Sequence, residues 1–184
     1  MKARLFGYAL APVVLGGMAL AAANASDPAA ALDVRQAMQQ GINAATMEIW
    51  DVGNNAMNDD GGMDPAQMTP ESWARLETAA QGLKGVALDM HDARAFVAAS
   101  PENAPEEGAE GAVSMEDVQR YIDADPDGFR SAAMALAGHA ELLIGAARVR
   151  DAQAAGDLVA QLDQVCEVCH AQYWYPEQDA LASR

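Results

Sequence analysis

The 184-residue sequence is poor in basic residues: 11 Lys and Arg stand against 27 Asp and Glu, which gives a formal net charge of −16. A field of that sign repels phosphate, which argues against nucleic acids and anionic membrane surfaces as partners. Threonine is scarce, and no stretch alternates apolar with polar residues over strand length, which argues against a β protein. Hydrophobic residues still make up 51% of the chain, too many for a disordered one. These features predict an acidic, soluble, helical protein.

The first 25 residues have the features of a secretory signal peptide. Lys2 and Arg4 form a basic start, residues 9–22 form an apolar run, and Ala23-Asn24-Ala25 gives the small-x-small pattern of a cleavage site. The apolar run is shorter than the roughly 20 residues that span a bilayer, so stable membrane insertion is not expected. We therefore predict export to the periplasm and a mature single domain of residues 26–184.

Cysteine is nearly absent, and the two that occur form the string Cys166-Glu167-Val168-Cys169-His170. This is the C-x-x-C-H pattern of c-type haem attachment. On a helix, residues i, i+3 and i+4 share a face, so each thiol can form a thioether with one haem vinyl group. His170 can then reach the iron as the proximal ligand. The motif predicts one covalent haem c.

Three other interpretations of the two cysteines remain open. A structural disulfide would close a very short loop and add little stability. A thioredoxin-like redox pair needs a strand before its helix, and no βαβ pattern occurs. A structural zinc site needs four ligands, and only His91 and His139 are left to join the cluster.

Apolar residues recur at intervals of three and four over four long segments, which predicts four amphipathic helices. The first covers residues 30–56, and the second begins at Thr69-Pro70 and carries its apolar stripe to Val97. A loop is expected over residues 100–111, a short helix from Ser114, a third long helix after Asp125-Pro126, and a turn at Gly156-Asp157 before the fourth, which Pro176 ends. The expected fold is an all-α antiparallel four-helix bundle with haem attached to the C-terminal helix.

The sequence resembles the class II cytochromes c, the family of cytochrome c′ and its low-spin relatives. The resemblance rests on Cys166-x-x-Cys169-His170-x-x-Tyr173 near the end and on Val34-Arg35-Gln36-x-Met38 near the start. It implies a four-helix bundle whose haem hangs from the last helix, and it makes a homodimer one expectation. The family usually carries Arg or Lys just after the tyrosine, where this chain has Trp174 and Tyr175.

The resemblance also implies roles for two residues of the first helix. In the low-spin relatives a methionine binds the iron opposite the histidine, and Met38 matches that position; Arg35 matches an arginine that pairs with a haem propionate. Met38 as core filler, another helical methionine (Met47, Met90 or Met134) and an open or His-ligated iron are the alternatives.

The sixth ligand decides between two functions. Thioether ligation raises the haem potential and blocks the iron, which suits a one-electron carrier, whereas an open iron suits a protein that binds NO or CO. A haem enzyme such as a peroxidase is a third possibility, but no distal His or Arg pair can be placed for it. No Ser/His/Asp set or phosphate-binding glycine loop occurs either, so we expect no enzyme. An acidic electron carrier favours redox partner proteins with basic docking patches.

Overall fold

The computed structural model describes residues 31–104 and 113–175, and the chain is mostly helical over these ranges. This confirms the prediction of an all-α protein. The predicted signal peptide, residues 1–25, lies outside the described residues, and so does Pro176.

The N-terminal helix runs without a break from Val34 to Asn55 and has three parts. They are α1 (Val34–Gln36), a π-helical segment (Ala37–Ile42) and α2 (Asn43–Asn55). The helix begins at Val34 rather than at the predicted Ala30, because Asp33 caps it: its carboxylate accepts a hydrogen bond from the Gln36 N–H at 2.9 Å.

The next three helices each begin at a polar cap. They are α3 (Pro70–Asp92), α4 (Met115–Ala124) and α5 (Pro126–Val149). The side chains of Thr69, Ser114 and Asp125 each accept a hydrogen bond from the backbone N–H three residues later. Pro70 and Pro126 occupy first helical positions, where no N–H is needed. These starts were readable from the sequence and are confirmed.

A short parallel β pair joins the start of the N-terminal helix to the segment after α3. Strand β1 (Leu32–Asp33) pairs with β2 (Phe96–Val97). The second helix therefore stops at Asp92, and the prediction that its stripe continues to Val97 is wrong. The Asp33 carboxylate also accepts hydrogen bonds from the Ser100 N–H at 2.9 Å and the Asn103 amide at 2.7 Å. We call these contacts the Asp33 clasp.

The turn before the last helix lies earlier than predicted. Arg150 takes the left-handed conformation (φ 56°), and Asp151 caps α6 (Ala152–Tyr173) by accepting from the Ala154 N–H at 3.0 Å. The predicted turn at Gly156-Asp157 is therefore wrong, since Gly156 lies inside α6. A Cβ at Gly156 would come within 2.9 Å of the Met63 backbone nitrogen. The glycine thus allows a close approach of α6 to the loop after α2.

The long helices pack around one hydrophobic core. Helix α3 contacts α2 and α5, α5 contacts α6, and α6 returns to α2, while the short α4 lies against α5 and α6. The largest side chains at the centre have no exposed surface: Ile49, Leu76, Leu83, Leu143 and Leu162. Burial of these side chains contributes roughly 1.5–3 kcal/mol each to the free energy of folding.

Among the described residues, one helix, α5, is long and apolar enough by length and composition to cross a membrane. Forty-four per cent of its apolar stretch is buried inside the protein. The core helix of a soluble protein passes the same test, and α5 packs against α3 and α6.

Candidate functional site

The residues singled out from the sequence lie around one cavity of about 340 Å³. Helix α6 contributes Cys166, Cys169 and His170 to its wall, and the N-terminal helix contributes Arg35 and Met38. Apolar side chains of α3, α4 and α5 complete it: Met90, Val118, Ile122, Phe129, Ala132, Ala133 and Leu136. A cavity of this size and character falls in the range that binds small molecules and cofactors, roughly 300–1,000 Å³.

Helix α6 places the C-x-x-C-H residues as its geometry requires. Cys166, Cys169 and His170 are half-buried and line the cavity together, because positions i, i+3 and i+4 share a helix face. Both cysteines are free thiols. The helix ends one turn later, where the His170 carbonyl accepts hydrogen bonds from the backbone N–H groups of Trp174 and Tyr175 at 2.8 and 3.0 Å.

The surroundings of the two cysteines favour the protonated thiol. Burial raises the pKa of Cys166, and the nearby Asp163 carboxylate adds to the effect. Burial raises the pKa of Cys169 to about 11, with a smaller contribution from Cys166. A reactive redox cysteine instead has a lowered pKa, produced by a nearby cation or a helix N-terminus. The described structure supplies no such environment here.

Met38 and Met90 are the two methionines that line the cavity. Met38 is half-buried in the π-helical segment, and Met90 is buried in α3. The competing Met47 and Met134 are 63% and 41% exposed and do not line it. The fold thus leaves two methionines as candidate iron ligands, Met38 from the N-terminal helix and Met90 from α3.

Arg35 lies at the cavity with an uncommitted side chain. Its backbone N–H donates to the Ala98 carbonyl at 3.0 Å, which fixes this part of the chain to the segment after β2. Within residues 31–104 and 113–175, its guanidinium has neither a hydrogen bond nor an ion pair. Gln39 and Asn43 follow it along the same edge of the cavity, and the sequence analysis missed both, although their spacing of four from Arg35 was visible.

Aromatic rings surround the end of α6. The Trp174 and Tyr175 rings lie 6.4 and 6.1 Å from the His170 imidazole, centroid to centroid. These are the two positions at which the family resemblance led us to expect a basic residue. The ring of Trp174 also lines the cavity. The histidine side of the cavity is therefore bounded by aromatic surface.

Tyr173 ties the end of α6 to the start of α5. It is 3% exposed, and its hydroxyl donates to the Asp125 backbone carbonyl at 3.2 Å and lies 3.3 Å from that residue's carboxylate. Burial raises the pKa of Tyr173 well above its ordinary value, and the Asp125 charge adds to this. Its ring meets Phe129 edge to face with centroids 5.1 Å apart. Both rings line the cavity, so this contact fixes part of its wall.

The remaining histidines and tryptophans have structural contacts. His91 Nδ1 lies 3.1 Å from the Arg130 carbonyl and His139 Nε2 lies 2.9 Å from the Leu158 carbonyl, and neither residue lines the cavity. Trp73 is buried in the core, and Trp50 is half-buried. In the part of the chain that the structure describes, no group of three or more His, Cys, Asp or Glu side chains could hold a metal ion.

Comparisons of the chain with family models, with curated proteins and with solved structures find no match. The resemblance to class II cytochromes c therefore rests on the motif residues in the sequence.

Proposed function

We propose that this protein is a monohaem c-type cytochrome of the periplasm that carries single electrons. In this proposal the helices form an antiparallel four-helix bundle of the class II type, and one haem is attached to α6 through Cys166 and Cys169. One observation carries the proposal. Both thiols and His170 line the same cavity as Met38 and Arg35, which come from the opposite end of the chain.

The residues around the cavity fit a haem. The apolar side chains of α4 and α5 suit a flat macrocycle, and two of them, Ala132 and Ala133, are small enough to leave room beside it. The polar edge of the cavity carries Arg35, whose guanidinium has no other partner among the described residues and can pair with a carboxylate of the bound group. Bound haem supplies one-electron iron chemistry.

Each protein group has a definite part in the proposal. Cys166 and Cys169 hold the group covalently, and His170 presents its imidazole from the same face of α6. Met38 would hold the iron through its thioether, offered from the N-terminal helix, and would thereby exclude exogenous ligands. The apolar wall lowers the local dielectric constant around a bound group.

The decisive experiment is an absorption spectrum of the oxidised, reduced and CO-treated reduced protein. We expect low-spin bands, a weak red sulfur-to-iron band in the oxidised form, and no change with CO. High-spin bands that shift with CO would instead favour the alternative function, a five-coordinate haem protein that binds NO or CO. A preparation without covalent haem would refute both functions.

Two matched variants then identify the ligand. Met38→Ala should convert low-spin to high-spin iron and admit CO, because it removes the thioether from the cavity. Met90→Ala removes the other thioether that lines the cavity and should leave the low-spin spectrum unchanged. If instead Met90→Ala gave high-spin iron and Met38→Ala left the spectrum unchanged, Met90 of α3 would be the iron ligand.

A further inference from the structure

The N-terminal helix changes its hydrogen-bonding pattern at the cavity. The Asn43 N–H donates to the Met38 carbonyl, five residues earlier, whereas an α-helical bond would reach back four residues. The segment Ala37–Ile42 that contains this bond is π-helical and lies between α1 and α2. Such segments are rare and amount to one extra residue in a helix, frequently at a functional site.

The residues of this helix that line the cavity recur every four positions. One row is Val34, Met38 and Ile42, and the next is Arg35, Gln39 and Asn43. In a regular α-helix, eight residues overshoot two full turns, so the two ends of each row would lie roughly 80° apart around the helix. A π-helical segment turns less per residue, which keeps each row facing the cavity along its length.

Packing against α3 holds the segment in this form. A Cβ at Gly41 would lie 2.6 Å from Val86 Cγ2 and 2.9 Å from Val86 Cγ1, so the backbone of the segment runs directly over that side chain. Ile42, the last residue of the segment, is buried at 3% exposure. The close contact and the buried side chain together fix the position and rotation of the segment.

We infer that the π-helical segment is the positioning device for the sixth iron ligand: by absorbing one extra residue it keeps Met38 in register with Ile42 and facing the cavity. This inference rests on the proposed function, since it concerns the ligand of the haem iron. Gln40 is the residue of choice to remove, because it is exposed and its side chain accepts a 3.4 Å hydrogen bond from Gln36 within the same helix.

Deletion of Gln40 tests the inference by removing the extra residue. Without Gln40 the Asn43 N–H lies four residues after Met38, so its bond to the Met38 carbonyl becomes an ordinary α-helical one and Met38 keeps its direction towards the cavity. The deletion variant should therefore keep covalent haem, its helical circular dichroism and the sulfur-to-iron band, and it should still refuse CO. Gln40→Ala is the matched control: it removes the same side chain, keeps the length and should resemble the wild type.

The register arithmetic also predicts a rescue. Insertion of one alanine after Gln40 places Met38 five residues before Ile42 and Gln39 four residues before it, where Met38 lies in the wild type. The insertion should therefore remove the sulfur-to-iron band and admit CO, and the insertion combined with Gln39→Met should restore the band and exclude CO again. A deletion variant that loses the band and binds CO overturns the inference, and so does a folded insertion variant with Gln39→Met that remains high-spin.

A length-preserving pair decides the question if the deletion variant yields no folded protein. Gly41→Ala should push the segment away from Val86, weaken the iron–sulfur bond and raise CO affinity, and Val86→Ala in the same chain should reverse both effects. An unchanged spectrum and CO affinity in Gly41→Ala overturns the inference. Wild-type protein without covalent haem refutes the proposed function, whereas wild-type haem without a methionine ligand refutes the inference alone.

Discussion

The environment of the two cysteines is not that of a reactive redox pair. Burial raises the pKa of both Cys166 and Cys169, so the thiols stay protonated at neutral pH and react slowly with disulfides. Their position beside a cavity instead suits a reaction with a group that occupies it.

Replacing both cysteines should abolish covalent haem. In Cys166→Ser with Cys169→Ser no sulfur remains to form a thioether, so acid–acetone should extract all pigment from the denatured protein. Val168→Ala is the control, since Val168 lies between the cysteines, is 64% exposed and leaves the C-x-x-C-H pattern intact. Pigment that survives extraction in the double serine variant would contradict the attachment site.

A glycine in α5 tests the contact between Tyr173 and Asp125. A Cβ at Gly128 would press on the Asp125 carboxylate and lie 2.5 Å from the Tyr173 hydroxyl oxygen. Gly128→Ala should therefore lower the free energy of unfolding by about 1–3 kcal/mol, the usual effect of overpacking. Urea denaturation of the holoprotein measures this.

The same helix offers a control for Gly128. Gly138 is exposed, and a Cβ there would meet nothing within 4 Å. Gly138→Ala should raise the free energy of unfolding by about 0.5–1 kcal/mol, because alanine loses less backbone entropy in a helix. Equal effects of the two substitutions would show that the Tyr173–Asp125 contact does not constrain α5.

At the scale of elements, the Asp33 clasp joins the N-terminal helix to the segment after β2. Partial burial raises the pKa of Asp33, but hydrogen bonds from Gln36, Ser100 and Asn103 outweigh it and lower the pKa from 3.8 to about 2. A carboxylate whose pKa is depressed by folding stabilises the folded state above its unfolded pKa. That contribution is complete above about pH 4 and is lost as the pH falls towards 2.

Removing this charge should therefore have a pH-dependent effect. Asp33→Asn should lower the free energy of unfolding by about 1–2 kcal/mol at pH 7, after a discount for solvent screening, and the difference from the wild type should shrink below pH 4. Asp89→Asn is the control, because Asp89 is an exposed residue of α3 that makes no hydrogen bond or ion pair within the described ranges. A difference that does not depend on pH would refute the role of the charge.

The sequence predicted the ends of helices correctly where the residues that determine them lie at the boundary itself. A cap followed by proline at Thr69-Pro70 and Asp125-Pro126 marked two helix starts, since both residues act on their own turn. The turn at Arg150 was missed because a non-glycine residue in the left-handed conformation leaves no pattern in the sequence. Gly156 misled the prediction, because that glycine serves packing against Met63.

The π-helical segment could not be predicted, for a related reason. A backbone N–H in this helix can bond to the carbonyl four residues back or to the one five residues back. Which of the two forms depends on the contact of Gly41 with Val86, and this is a tertiary contact that the local sequence does not reveal. The C-x-x-C-H face was predictable because helical spacing alone places its residues together. Its meeting with Met38 depends on how the N-terminal helix packs against the rest of the fold, so before the structure it rested on the family resemblance.

At the scale of the whole molecule, the rate of the proposed electron transfer should depend on the net charge of −16. The Debye length falls from about 30 Å at 0.01 M ionic strength to about 8 Å at 0.15 M, so the attraction of a basic partner weakens over this range. The rate constant with a basic redox protein should fall several-fold, while that with the anion ferricyanide should rise. Stopped-flow absorbance measures both.

If electrons leave the protein near α6, the positions of the charged residues matter as well as the net charge. Asp163 is exposed one turn from Cys166 and acts on it electrostatically. Asp59 is exposed in the loop whose Met63 meets Gly156 near the other end of α6. Asp163→Lys and Asp59→Lys change the net charge equally, but the first should weaken the salt dependence more, because interactions beyond a Debye length are screened. Equal salt dependences would place the electron exit away from the C-terminal half of α6.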